Sequence, residues 1–183
     1  MTKLADPRLI VALDLPTVAQ AQVMSDQIGD AVSFYKIGLQ LFASGGMDLA
    51  ARLKTQGKQV FLDWKLHDIG ATVEKAAAAL AGSGADLLTV HAEPQVMAAA
   101  VKGRGQSGLR ILAVTVMTSL TDQDLKDMGY GLGTTDLVKR RIGQALDAGC
   151  DGVVASPLEA AMARDSTAFR ISFMAAIGGE LSQ

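Results

Sequence analysis

This chain is poor in the residues that build cages and frameworks. A single cysteine, Cys150, among 183 residues excludes an internal disulfide framework and a cysteine zinc cage. Two histidines, His67 and His91, are too few for a His-rich metal site, and no metal is expected. Aromatic residues make up 4%, so a core must rest on Ala, Leu, Val, Ile and Met. No apolar run approaches the ~20 residues that cross a bilayer. The segment from Met1 to Pro7 lacks the apolar stretch of a signal peptide. A one-sided charge is missing too. The net charge of -2 and pI near 5.6 give nucleic acid no basic face. Neither a membrane nor a nucleic-acid partner is expected, and the plain setting is a reduced cytoplasm.

What is present is a strand-helix alternation in a chain that is 49% hydrophobic. No Pro/Ser linker divides it, so one domain over 1–183 is expected. Apolar runs at Leu9–Leu13, Val32–Ile37, Gln59–Leu62, Asp86–His91, Arg110–Val116 and Asp151–Ala155 read as six strands. Helices are expected over Pro16–Gln27, Met47–Gln56, Thr72–Ala81, Asp122–Met128, Thr135–Ala148 and Pro157–Arg164. Phe169–Phe173 begins a seventh strand, and the last residues, about 172–183, carry no strand-loop-helix pattern. Continuous rather than alternating apolar runs suit parallel strands covered on both faces. The fold class is therefore α/β, of the (β/α)8 TIM-barrel type, with about six to seven βα units present. A complete barrel of this type usually takes about 250 residues.

The polar residues Asp14, Lys36, Asp63, Lys65, His91 and Thr115–Ser119 all fall at strand C-terminal ends. A closed barrel gathers those ends around one opening, where barrel enzymes keep their chemistry. The richest stretch is Asp63-Trp64-Lys65-Leu66-His67-Asp68-Ile69, directly after Val60-Phe61-Leu62, where a buried strand is expected to run out into a loop. Residues two apart on a strand share a side, so Asp63 and Lys65 both project inward. Asp68 follows in the loop. Buried charge is costly unless paired, so apolar burial does not call for this arrangement.

Each residue also has a plainer reading. Asp63 and Lys65 can be a structural ion pair, and Asp68 an N-cap of the next helix. Lys36 can extend its ammonium to solvent, and Asp14 can serve the turn before Pro16. Thr118 and Ser119 can satisfy loop backbone. His67 is expected to pack or hydrogen-bond, and Cys150 to behave as a small buried apolar residue.

Taken in order, these segments resemble orotidine 5'-phosphate decarboxylases of the bacterial type, from about Leu9 to Glu159. The most specific part is Asp63-Trp64-Lys65-Leu66-His67-Asp68-Ile69-Gly70-Ala71-Thr72, similar to the family's D-x-K-x-H-D-I-x-x-T signature. Supporting pieces are Val11–Asp14, Tyr35–Gly38, Val90–Ala92, Ala113–Ser119 and Asp151–Pro157.

The resemblance implies decarboxylation of orotidine 5'-phosphate to UMP by a homodimer of barrels without cofactor. By motif, Lys65, Asp63, Asp68 and Lys36 form the catalytic charge array, with Lys65 the proton donor to C6. Asp68 and Thr72 would reach in from the partner subunit. Asp14, Lys36, Asp63, Thr72 and Thr118 would bind substrate.

Two departures stand out. The family's Thr-Pro-Gly-x-Arg-Pro segment and late Gly-Arg pair, which grip the phosphate, are absent. After Phe169-Arg170-Ile171 the chain reads Ser172-Phe173-Met174-Ala175-Ala176, as a truncated or frame-shifted barrel would. Ala71 stands where the family usually has Asn. Two alternatives remain open. One is a Mg²⁺-dependent sugar-phosphate sister of the hexulose-phosphate synthase or keto-gulonate-phosphate decarboxylase type. The other is a non-catalytic barrel remnant that only dimerises.

Overall fold

A computed structural model describes residues 6, 8–156 and 159. The expected helix over Pro157–Arg164, the strand at Phe169–Phe173 and the atypical tail lie outside the described residues, apart from Glu159. Six strands run parallel in chain order: β1 (Val11–Ala12), β2 (Phe34–Gly38), β3 (Gln59–Leu66), β4 (Leu87–His91), β5 (Arg110–Val114) and β6 (Gly152–Val154). Between them lie α1 (Val18–Ile28), α2 (Leu39–Phe42), α3 (Gly46–Thr55), α4 (Gly70–Ala81), α5 (Pro94–Arg104), α6 (Asp122–Asp127) and α7 (Thr134–Asp147). Strictly sequential parallel order, with a helical connection between each described strand and the next, is the winding of a TIM barrel.

Strand parity divides the apolar side chains into two sets. Tyr35 and Ile37, Val60 and Leu62, Leu88 and Val90, and Ile111 and Ala113 face the helices and form the larger core. Their alternates, Phe34, Phe61, Leu87 and Leu112, meet Ile10 and Val154 in a second, smaller cluster. Side chains from six successive strand segments touch only if the sheet curls on itself. This second cluster is therefore the floor of the barrel interior.

The strand N-terminal ends are tied by a repeated device. Asp86, just before β4, accepts hydrogen bonds from the Val60 backbone N–H (2.8 Å) and Lys54 Nζ (2.8 Å). Asp151, just before β6, does the same for Ile111 N–H (2.8 Å) and Arg104 (3.0 Å). Each carboxylate supplies a ladder acceptor and meets a cation from the last turn of a helix. Such features at this face speak for stability rather than chemistry.

Three expectations need correction. The helix α5 was not expected between strands four and five, although Pro94 opens it and Gly105 ends it. Its buried face, Val96, Met97 and Ala100, is narrow and set in an Ala-rich run, so its periodicity is weak. The single-turn α2 is too short to leave a periodic signal. Finally, β3 does not end at Leu62 but continues to Leu66, so Asp63-Trp64-Lys65-Leu66 is strand rather than loop. Pairing of Asp63 with Gly38 on β2 carries the ladder past the apolar run.

Candidate active site

The C-terminal ends of β1, β2 and β3 bring Asp14, Lys36, Asp63 and Lys65 into one chain of opposite charges. Lys36 Nζ lies 3.1 Å from both Asp14 carboxylate oxygens and 3.3 Å from Asp63 Oδ2. Lys65 Nζ donates to Asp63 Oδ1 at 2.9 Å. Exposure grades along the array. The Lys36 and Asp63 side chains are 7% and 4% exposed, whereas Lys65 and Asp14 are 29% and 43% exposed. Its middle is buried and its ends face the opening.

Parity explains the convergence. Phe34 and Lys36 share the inner side of β2, as do Phe61 and Asp63 on β3, so each charge sits one step above the apolar floor. Gly38 makes room beside them. A Cβ there would lie 2.9 Å from Asp14 Oδ1 and 3.5 Å from Lys36 Nζ.

A buried ammonium is tolerable only with close anions, and Lys36 has two. Burial alone would push the Asp63 carboxyl up. The hydrogen bond and charge of Lys65, the charge of Lys36 and a hydrogen bond from Thr89 outweigh it. Asp63 is thereby held below its ordinary range and stays ionised.

The ladder between β3 and β4 is irregular at this point. Leu62 pairs with Leu88 and Leu66 with Val90, so three β3 residues stand opposite Thr89 alone. The surplus is absorbed by Lys65, the one non-glycine residue with positive φ (47°) among the described residues. That conformation costs an L-residue about 1–2 kcal/mol. It redirects the Lys65 side chain onto Asp63.

The other expected residues are placed differently. Asp68, Thr72 and Thr118 are all exposed, and among the described residues none hydrogen-bonds to the array. Asp68 is not the N-cap of α4; Ile69 occupies that position, and Asp68 Oδ1 accepts its N–H at 2.6 Å. The His67 and His91 rings meet at a tilt of 40° with centroids 4.8 Å apart, and His67 Nε2 lies 3.6 Å from Glu93 Oε2. Burial lowers the His91 pKa against the opposing charge of Glu93, with His67, Arg141 and Lys65 adding to the decrease. Cys150 is buried, and desolvation pushes its thiol up to about 12, as suits a packing residue.

Two features escape a reading of the sequence. Thr89 is fully buried and bonds to Asp63; its signal is a lone hydroxyl in Leu87-Leu88-Thr89-Val90, two residues before His91. Arg141, on α7, donates to Glu93 Oε1 (3.1 Å), to Tyr130 (3.1 Å) and to the Thr115 carbonyl. It braces the loop after β5 beside a hollow of about 200 Å³ lined by His67, His91 and Met117. Nothing in the spacing of Glu93 and Arg141 announces that pair.

Fold and rim together define an enzyme of the TIM-barrel type with an array of alternating charges at the C-terminal ends of adjacent strands. Residues 7–177 match the family described as Orotidine 5'-phosphate decarboxylase / HUMPS. The chain is 68% identical over 161 residues to the orotidine 5'-phosphate decarboxylase of Caulobacter sp. (strain K31), covering 88% of this chain and 70% of that protein. Against the protein of the same name from Methylobacterium radiotolerans, identity is 58% over 166 residues, covering 90% and 72%. The crystal structure of orotidine 5'-phosphate decarboxylase from Lactobacillus acidophilus superposes with a TM-score of 0.83 at 36% identity, covering 91% of this chain and 80% of that one. The chain belongs to the orotidine 5'-phosphate decarboxylase family.

Proposed function

We propose that this protein converts orotidine 5'-phosphate to UMP and carbon dioxide, in pyrimidine biosynthesis and in the cytoplasm. The observation that carries the reading is the unbroken alternation Asp14–Lys36–Asp63–Lys65 at the mouth of the barrel. When the C6 carboxylate leaves as carbon dioxide, its bonding electron pair stays on C6. That carbanion lies in the ring plane with no adjacent electron sink. A site can lower its energy by fixed positive charge and a ready proton, and preorganised electrostatics is commonly the largest catalytic contribution.

In this reading Lys65 supplies both. Its ammonium gives a proton to C6, and the resulting amine regains one from water after product leaves. Asp63 orients the Lys65 ammonium at 2.9 Å, and its charge stands against the substrate carboxylate. Lys36 and Asp14 hold the ribose hydroxyls, and Thr118 contributes from the loop after β5. No cofactor takes part.

The partner in this reading is a second copy of the chain. Asp68 and Thr72, exposed and without a hydrogen bond to their own array among the described residues, reach into the neighbouring subunit's site. Leu39, Phe42 and Ile69 follow β2 and β3 on the same face and are 54%, 50% and 70% exposed, which supports an apolar contact there. No helix among the described residues is long and apolar enough to cross a membrane.

The test is direct. The pure full chain is mixed with orotidine 5'-phosphate and the pyrimidine absorbance followed, with and without EDTA. Turnover should survive EDTA and fall by at least ~10³-fold in Lys65→Ala, the scale of losing the main transition-state charge. A folded dimer without turnover, or one needing Mg²⁺, overturns the proposal.

A further inference from the structure

The geometry points to Thr89 as the positioning residue of the array: its hydroxyl holds the Lys65 backbone in its left-handed turn and fixes the Asp63 carboxylate. The inference rests on the proposed decarboxylation. It names the group that sets the aim of the proposed proton donor.

Where three β3 residues face Thr89 alone, the regular ladder cannot satisfy every backbone group. There the Lys65 N–H donates to a side chain: Thr89 Oγ1 accepts it at 3.0 Å. The same oxygen lies 3.0 Å from Asp63 Oδ1. A hydroxyl has one proton. Because a backbone N–H can only donate and an ionised carboxylate can only accept, the direction of both bonds is dictated. Lys65 N–H donates to Thr89, and Thr89 donates to Asp63. Full burial of Thr89 leaves no water to take over either role.

One side chain thus closes a small ring. Lys65 is gripped at its backbone by Thr89 and at its ammonium by Asp63, which Thr89 also orients. A positive φ on a non-glycine residue persists only where its surroundings over-determine it. Here the surroundings are this hydroxyl. Valine at 89 keeps the shape but removes the acceptor and the donor together. The Lys65 N–H then loses its Thr89 acceptor, and the strained turn has lost what offsets it.

The experiment compares Thr89→Val and Thr89→Ser with the wild-type full chain. Thr89→Val should lower kcat by about 10²-fold, the usual penalty for displacing a reacting group by about 1 Å, with KM changed less than about threefold. Thr89→Ser should recover most of the loss. Amide hydrogen exchange at Lys65 should accelerate at least tenfold in Thr89→Val and stay near wild type in Thr89→Ser. A folded Thr89→Val with wild-type kcat overturns the inference. So does a serine variant as impaired as the valine one, or Lys65 exchange unmoved by valine. The exchange readout needs no substrate. If the wild type fails to decarboxylate, the functional reading falls while the Lys65 amide still decides the role of Thr89.

Discussion

Replacing Asp63 by Asn removes the anion between two ammonium groups while keeping the shape of the side chain. Asp63 Oδ2 lies 3.3 Å from Lys36 Nζ and Oδ1 lies 2.9 Å from Lys65 Nζ. Each contact is worth about 5 kcal/mol gross at an effective dielectric near 20. Desolvation of the carboxylate offsets much of that. Removing one member of a buried pair typically costs about 3–5 kcal/mol. The lower end applies here, because Asp14 still neutralises Lys36 and Lys65, 29% exposed, can turn to solvent. A loss of about 3 kcal/mol is expected. With a urea dependence of ~2 kcal/mol per M, the midpoint should drop by about 1.5 M.

The pH dependence adds a second constraint. The folded-state pKa of Asp63 is depressed below that of the unfolded chain. Its stabilisation is therefore fully present above the unfolded value, about 3.9, and is lost as pH falls through the lower folded value. The gap between wild type and Asp63→Asn should stay constant from neutrality to about pH 5 and narrow below about pH 4. Urea titrations followed by circular dichroism across that range measure it. A variant as stable as wild type at neutral pH refutes the electrostatic account. A gap that does not narrow with acid shows that the carboxylate charge is not its source.

Two glycine substitutions separate function from stability. In Gly38→Ala the new Cβ would sit 2.9 Å from Asp14 Oδ1, the mobile end of a half-exposed side chain, so the fold should survive and the Asp14–Lys36 contact should not. KM for orotidine 5'-phosphate should rise roughly tenfold, about 1.4 kcal/mol, as for one hydrogen bond to a charged group; unchanged kinetics would remove Asp14 from the substrate site. In Gly103→Ala the Cβ would lie 2.2 Å from the Glu74 carbonyl oxygen, forcing α5 away from α4. Overpacking of about 3 kcal/mol less a helix-propensity gain of about 1 leaves roughly 2, a fall in Tm of about 6 °C by calorimetry. An unchanged Tm would mean that the two helices are free to separate.

The rim was legible because two periodicities coincide. Apolar runs of strand length mark where each strand ends, and parity says which of the following residues face inward. Asp14, Lys36, Asp63 and Lys65 satisfy both conditions, so their convergence follows from placement. The Lys65 turn does not. It arises from a length mismatch between β3 and β4, and no residue near Lys65 is a glycine that would advertise positive φ. Extending β3 through Leu66 was equally hidden, since its last three residues are polar, aromatic or apolar by turns and resemble a loop. Thr89 and the Glu93–Arg141 pair depend on contacts 24 to 48 residues apart in sequence, which spacing cannot reveal.

The interior of the barrel shows why such a site can be strong without being large. On three adjacent strands the inner face changes character in a single two-residue step: Phe34 to Lys36, Phe61 to Asp63, and Leu87 to Thr89. Below the step is a packed apolar floor; above it the side-chain polar atoms of Lys36, Asp63 and Thr89 all have partners among their neighbours. The floor excludes water from beneath the charges, so the Lys36–Asp63 attraction is poorly screened there. The same floor makes any unpaired charge above it costly. Alternation of sign is therefore what allows two lysines to occupy this layer at all. It also leaves the most exposed of its cations, Lys65, at the opening where a substrate would meet it.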